Sequence, residues 1–287
     1  MATFPDLTQE RKAFHASLAE SILMVDDRGV ASNADAASKT SVAIALGIAN
    51  RIGNVRVGKR AAGQTAGKQF EESLCRFLLD GLPKFETLRP GVWDVYLATN
   101  HNMLEIAQYQ QYAHLGELDR DLRHNPTRQV SVGKDYFVCP DIVVVRKTSV
   151  NGGAPPVFVD DASTVDDAST SVSLPDGLDA LHAVVSAKWT MRSDRAQNAR
   201  TEAASLIQHV RGRIPYIAFA TAEPLPSRLV SIAAGDSGVS CTYHFALHEM
   251  LKAVMDLDMS READLLRALI DGRRLKDIAN LLPDLMM

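Results

Sequence analysis

Three short apolar runs constrain this chain more than any other feature: residues 136–145 (YFVCPDIVVV), 181–189 (LHAVVSAKW) and 214–221 (IPYIAFAT). The β-branched and aromatic residues in them follow no polar alternation, which is the pattern of strands covered on both faces. Such strands need a helix layer above and below, so the chain must build an α/β domain. A helix expected over about 195–210 lies between the second and third runs and makes them a β-α-β unit. Asp141 is the sole ionisable residue in the core of the first run, and Ser186 and Lys188 close the second. A lone carboxylate in a buried strand is costly unless it meets a partner, a metal or a solvent-filled cleft.

Helical periodicity and turn residues account for most of the remainder. Helices are expected over 8–22, with Thr8 as cap, and over 40–52, separated by the turn-rich stretch from Asp26 to Asp35. The spacing of Phe70, Leu74, Phe77 and Leu78 predicts a helix over 65–79, with Glu71 beside the apolar stripe. A longer polar helix is expected over 104–124, ending before Pro126. Beyond the third run come a strand over 239–243 and helices over 246–257, 260–270 and 275–281. No interior linker divides residues 1–287, so one domain is expected, with an acidic insertion loop at 151–180. That insertion carries the tandem hexamer VDDAST at 159–164 and 165–170 and reads as solvated.

Charge narrows the function classes. A formal net charge of -4 argues against a protein that coats DNA through bulk positive charge. Between residues 188 and 213, however, Lys188, Arg192, Arg195, Arg200, Arg211 and Arg213 face only Asp194 and Glu202. Cys75, Cys139 and Cys241 are scattered and form no CxxC pair, so neither a disulfide framework nor a zinc site is indicated. No run of about 18 apolar residues and no secretory leader is visible, and a cytoplasmic protein without membrane contact is expected.

Side chains two apart on a strand share a face, so Ser186 and Lys188 both reach toward Asp141 if the two strands pair. Glu202, on the following helix, lies seven residues from Arg195 and hence on about the same face. Carboxylates that hold Mg²⁺, with a lysine beside them, suit phosphodiester cleavage. The same Asp and Lys would also suit a plain inter-strand ion pair, and the conjunction with Ser186, Glu202 and the arginines favours catalysis. Arg192, Asp194 and Arg195 stand where strand gives way to helix. Arginine can donate twice to guanine and aspartate can accept from cytosine, so the cluster could read G·C pairs, or could be a surface Arg-Asp network. His244 and His248 lack a third ligand, and Gly63, Gly67 and Lys68 lack the spacing of a phosphate-binding loop.

These residues resemble the PD-(D/E)xK type II restriction endonucleases, and within them the tetrameric group that cuts around a CCGG core. The similarity is carried by Gly63-Gln64-Thr65, Leu104 to Ala107, Tyr109 to Leu115, Lys188 to Arg200, Thr221 to Pro224, Pro226-Ser227-Arg228, Tyr243 to Leu247 and Arg274 to Ile278. It implies a restriction-endonuclease-like core with a central mixed sheet flanked by helices. It also implies Asp141 and Lys188 as the catalytic pair, completed by Glu71, Ser186 and Glu202, with Mg²⁺ held by Asp141, Glu202 and Glu71. Ser186 stands where the second acid of the wider superfamily precedes the lysine, and Glu202 replaces that acid from the helix. By the same resemblance Arg192, Asp194 and Arg195 read the core, Asp35 and Arg228 the outer G·C pair, and Gln64 the minor groove, so GCCGGC is the implied site. A homotetramer binding two sites on double-stranded DNA is implied as well, since a palindrome calls for two-fold related subunits. Two other functions share these features: a repair nuclease that cuts by DNA structure, and a DNA-binding or bridging protein without catalysis.

Overall fold

A computed structural model of the chain describes residues 4–58, 63–98, 103–124, 140–147, 178–235 and 237–287. The stretch 136–139, Cys139, the pair His101-Asn102 and the duplicated hexamer fall outside these residues.

Helix α1, Thr8–Ser21, begins where the Asp6 carboxylate accepts both the backbone N–H and the hydroxyl of Thr8. Asp6 therefore supplies the capping oxygen expected of Thr8. A short strand β1, Met24–Val25, leads to α2, Lys39–Ile52, whose cap is Ser38, accepting from the Ser41 amide. Strand β2, Arg56–Val57, pairs in parallel with β1. Helix α3, Gly63–Gly81, buries Phe70, Leu74, Phe77 and Leu78, the stripe that the spacing predicts.

The main sheet begins with β3, Trp93–Leu97. The single helix expected over 104–124 is instead two 3-10 turns, Met103–Gln108 and Gln110–Tyr112, followed by α4, Ala113–His124. Docking onto the sheet explains the break. The Gln111 amide donates to the Leu181 carbonyl at 2.8 Å and accepts the Leu181 N–H at 3.0 Å, replacing a strand neighbour, and the Tyr112 hydroxyl donates to the Leu206 carbonyl. A continuous helix could not place those side chains so.

Strand β4, Ile142–Arg146, and β5, Ala180–Lys188, are the first two apolar runs. Helix α5, Ser193–His209, and β6, Tyr216–Thr221, complete the β-α-β unit, since β5 and β6 are parallel. Helix α6, Pro226–Ala233, is followed by β7, Cys241–His244, then α7, Leu247–Asp256, and α8, Ser260–Asp271. The expected helix over 275–281 is corrected to β8, Leu275–Asp277, a 3-10 turn at Ile278–Asn280 and α9, Leu281–Met286. Sheet pairing with β7 wins there because Asp277 is buried and accepts from Arg11, Leu247 N and Ala279 N.

The six strands run in the order β3-β4-β5-β6-β7-β8, antiparallel across β3, β4 and β5 and parallel from β5 to β8. The sheet is thus mixed and flanked by helices, the expected α/β class. Alternate residues divide two apolar layers. Ile142, Val144, Ala183, Val185, Ala187, Ala218 and Ala220 pack with α1, α3, α7 and α8, whereas Val143, Val145, Val184 and Ile217 pack with Tyr109, Tyr112 and Leu206. Helix α2 lies so close to α7 that a Cβ at Gly47 would stand 2.7 Å from that of Ala253. Among the described residues no helix is long and apolar enough to cross a membrane.

Candidate active site

Antiparallel pairing assembles the site. Ile142 pairs with Val185, so Asp141, one residue before β4, lies beside the carboxyl end of β5. Its Oδ2 accepts the Ala187 N–H at 2.7 Å and the Lys188 ammonium at 2.5 Å. Asp141 is 5 % exposed, and the ammonium is the partner that a buried carboxylate there requires. Burial works against the charged form of Lys188, but Asp141, Glu202 and Glu71 outweigh it and hold the lysine above its ordinary value. It is an ammonium at neutral pH.

Ser186 and Lys188 lie two residues apart and share a face with Val184, the face that α5 covers. The Ser186 hydroxyl donates to Glu202 Oε1 at 2.7 Å. Glu202 is 4 % exposed. Burial, then the charge on Asp141, pushes its carboxyl well above the usual range, against Ser186 and Lys188. Glu71 is half-buried on α3 and is pushed up to about 7 by burial and by Asp141. The structure therefore gathers Asp141, Lys188, Ser186, Glu202 and Glu71 into one electrostatic neighbourhood. Burial and the charge on Asp141 make Glu71 and Glu202 hard to ionise, and Lys188 eases this.

Among the described residues no three His, Cys, Asp or Glu groups stand close enough to form a ready metal cage. The donor set still suits a hard cation. Mg²⁺ is held by one or two carboxylates, completed by water and substrate phosphate, rather than by an all-protein cage. The cost of ionising Glu202, set by burial and the charge on Asp141, is what a divalent charge relieves.

Several of the expected base-reading residues stand around the end of β5. Arg192 is exposed and caps α5 from an extended backbone, and Asp194 is exposed in the first turn. Arg195 bends back, donating to both oxygens of Thr190 at 2.9 Å. Asp35 is ion-paired with Arg228, and its carboxyl is lowered by that bond, by the Ala37 N–H and by the charges of Arg228 and Arg192. Arg192 therefore stands near the Asp35-Arg228 pair. Gln64 is exposed on the first turn of α3. A separate groove of about 620 Å³ follows the outer side of α5, along Gln197, Arg200, Thr201 and Gln208, away from the carboxylates.

Sequence reasoning did not single out Glu223. It is wholly buried just beyond β6 and accepts from the amides of Met191 and Leu225. The signal was available: a lone acid directly after an apolar run, the argument that drew attention to Asp141. His244, considered for a metal, is buried with its Nδ1 accepting from Ala246 N and serves the packing of β7.

Comparison with known proteins identifies relatives of the chain. Residues 14–287 match the protein family described as NgoMIV restriction enzyme. The chain is 41% identical over 285 residues to the type II restriction enzyme NgoMIV of Neisseria gonorrhoeae, an alignment that covers 98% of this chain and 99% of the relative.

Proposed function

The chain belongs to the NgoMIV restriction enzyme family and is a type II restriction endonuclease, and from that premise we propose that it hydrolyses both strands of DNA at GCCGGC with Mg²⁺. The observation that carries the catalytic half is the buried group of Asp141 and Glu202 with Lys188 and Ser186 between them. Asp141 and Glu202 hold the metal, and Glu71 assists from α3. Bound Mg²⁺ supplies neutralisation of the phosphate charge and a water of lowered pKa.

The chain's own groups divide the remaining work. Lys188 is an ammonium in the metal-free protein, and it places positive charge and hydrogen-bond donors toward the scissile phosphate. Ser186 fixes the orientation of Glu202 through its hydroxyl. Asp141, held by the Ala187 N–H, keeps its second oxygen available to a cation.

Recognition belongs to the rim. Arg192, Asp194 and Arg195 take the CCGG core through the major groove, Asp35 and Arg228 take the outer pair, and Gln64 enters the minor groove. A palindromic site is met by a two-fold pair of chains, and the enzyme works as a cytoplasmic homotetramer that engages two sites.

The test is digestion of plasmids carrying no, one or two GCCGGC sites, with Mg²⁺ and a Lys188→Ala control. Cleavage confined to site-bearing plasmids is expected, faster with two sites. Lys188→Ala should lose about a hundredfold or more, the scale for removing one transition-state donor. Equal cutting of all plasmids would refute sequence-specific action at this site, and full activity in the variant would remove Lys188 from the chemistry.

A further inference from the structure

Thr221, the last residue of β6, pairs in register with Lys188, and Glu223 follows two residues later. Glu223 has no exposed surface. Its Oε2 accepts the Met191 amide at 2.8 Å and faces Arg228 Nη1 at 3.6 Å, and its Oε1 accepts the Leu225 amide at 3.1 Å. Arg228 Nη1 also donates to the Met191 carbonyl at 3.2 Å, while Nη2 is ion-paired with Asp35. Met191 is therefore gripped at its amide by Glu223 and at its carbonyl by Arg228. It stands between Lys188, at the end of β5, and Arg192, the cap of α5.

A buried carboxylate is costly unless hydrogen-bonded and paired. Here burial raises Glu223, and the two amides and Arg228 oppose that rise. Apart from the Leu225 amide in its own turn, its partners belong to the handover from strand to helix and to the Asp35-Arg228 pair. Asn33 ties the same loop from the other side, donating to the Ala222 carbonyl at 2.8 Å.

We propose that Glu223 is a positioning residue for sequence discrimination: by holding Arg228 against Met191, it makes placement of the Lys188 to Arg192 segment depend on how Asp35 and Arg228 meet the outer base pair. This rests on the assignment of Asp35 and Arg228 to that pair. A mismatched outer pair would leave Arg228 without its base partner, and the same guanidinium would then misplace the Met191 carbonyl. Glu223 touches neither DNA nor the reacting atoms and acts through Arg228 and Met191.

The experiment compares wild type, Glu223→Gln, Arg228→Ala and the double variant on duplexes containing GCCGGC, ACCGGT and a scrambled core, with melting temperatures as controls. Wild type should prefer GCCGGC. Glu223→Gln keeps the shape but only one of the two acceptor oxygens, so it should stay folded while melting somewhat below wild type. Its GCCGGC-to-ACCGGT ratio of kcat/KM should nevertheless fall at least about tenfold, the scale of one weakened bidentate contact. The loss should lie in kcat, and in the Arg228→Ala background the substitution should add nothing. An unchanged ratio in folded Glu223→Gln, equal losses on both duplexes, or additive losses in the double variant would each overturn the proposal. Should Glu223→Gln fail to fold, Glu223→Asp, with the charge kept and its reach shortened, is read on the same ratio with the same outcomes. Wild type that ignores the outer pair would sink the assignment of Asp35 and Arg228, and this inference with it.

Discussion

Arg192 lies at the protein surface and Glu202 in its interior, and the two need different tests. Arg192 is exposed and makes its case only with DNA present. Arg192→Ala should leave the melting temperature unchanged and weaken binding to a CCGG-core duplex by about tenfold to a hundredfold, as the loss of one bidentate guanine contact would. A binding titration on matched and core-scrambled duplexes reads this, and unchanged affinity would end its role as a base reader. Glu202 is buried, and its folded-state pKa lies above the ordinary value. The unfolded chain therefore loses that proton more readily, and the stability this group confers below its ordinary pKa disappears as pH rises through the folded one. Glu202→Gln keeps an acceptor for Ser186 and removes the charge. Without metal the variant should melt several degrees above wild type near pH 9, the effect of about 1–3 kcal/mol, and level with it near pH 4, while cleavage is lost. Equal melting at both pH values would show that the carboxylate is not strained.

At the scale of elements, the ends of the chain are joined by one arginine. Arg11 on α1 donates to Asp277 at 2.8 Å and to Glu249 on α7 at 2.5 Å, and Asp277 is almost wholly buried. Burial disfavours the guanidinium charge, yet the two carboxylates raise it above its ordinary value, and Glu249 is drawn down to about 2. Arg11→Ala would leave the buried Asp277 without its cation, at a cost of about 3 kcal/mol in chemical unfolding. A cost below about 1 kcal/mol would mean that the amides of Leu247 and Ala279 suffice. No local pattern announces this contact, because its partners stand 238 and 266 residues away. The same limit explains which elements were legible. The buried strands β4, β5 and β6 and helix α5 follow from apolar runs and periodicity, and Asp141, Ser186 and Lys188 follow from polar exceptions within those runs. Strand β3 and helix α6 carry no such signal, while the residues of β8 and of 104–124 carry helical patterns that the fold overrides. In β8 and at Gln111 the deciding bonds are tertiary, to β7 and Arg11 in one case and to β5 in the other. Glu223 is marked in the sequence as a lone acid after an apolar run, but its partners Met191 and Arg228, 32 residues before it and five after, are not.

Across the whole molecule, two sets of buried groups pull stability in opposite directions with pH. His244 and His182 are both pushed down to about 4, chiefly by burial. The unfolded chain therefore binds protons that the folded one refuses, and stability present above about 6.5 is lost as pH falls toward 4, by a few kcal/mol together. Glu71 and Glu202 act on the other flank: their raised values mean that stability is lost as pH climbs through about 7 and beyond. The metal-free protein should therefore be most stable near pH 6. On the proposed assignment of Glu71 and Glu202 to the metal, catalysis needs those carboxylates ionised, and the chemistry belongs to the flank where the free protein is weakening. Divalent metal bound to the ionised carboxylates reverses that penalty, and its stabilisation grows as RT ln(1 + [L]/Kd). Mg²⁺ should accordingly raise the melting temperature at pH 8 by several degrees and have little effect at pH 5, where protons occupy the same oxygens. Glu202→Gln should lose most of the pH 8 gain. A gain of equal size at both pH values, or one that survives in the variant, would place the ion elsewhere than on this pair of buried carboxylates.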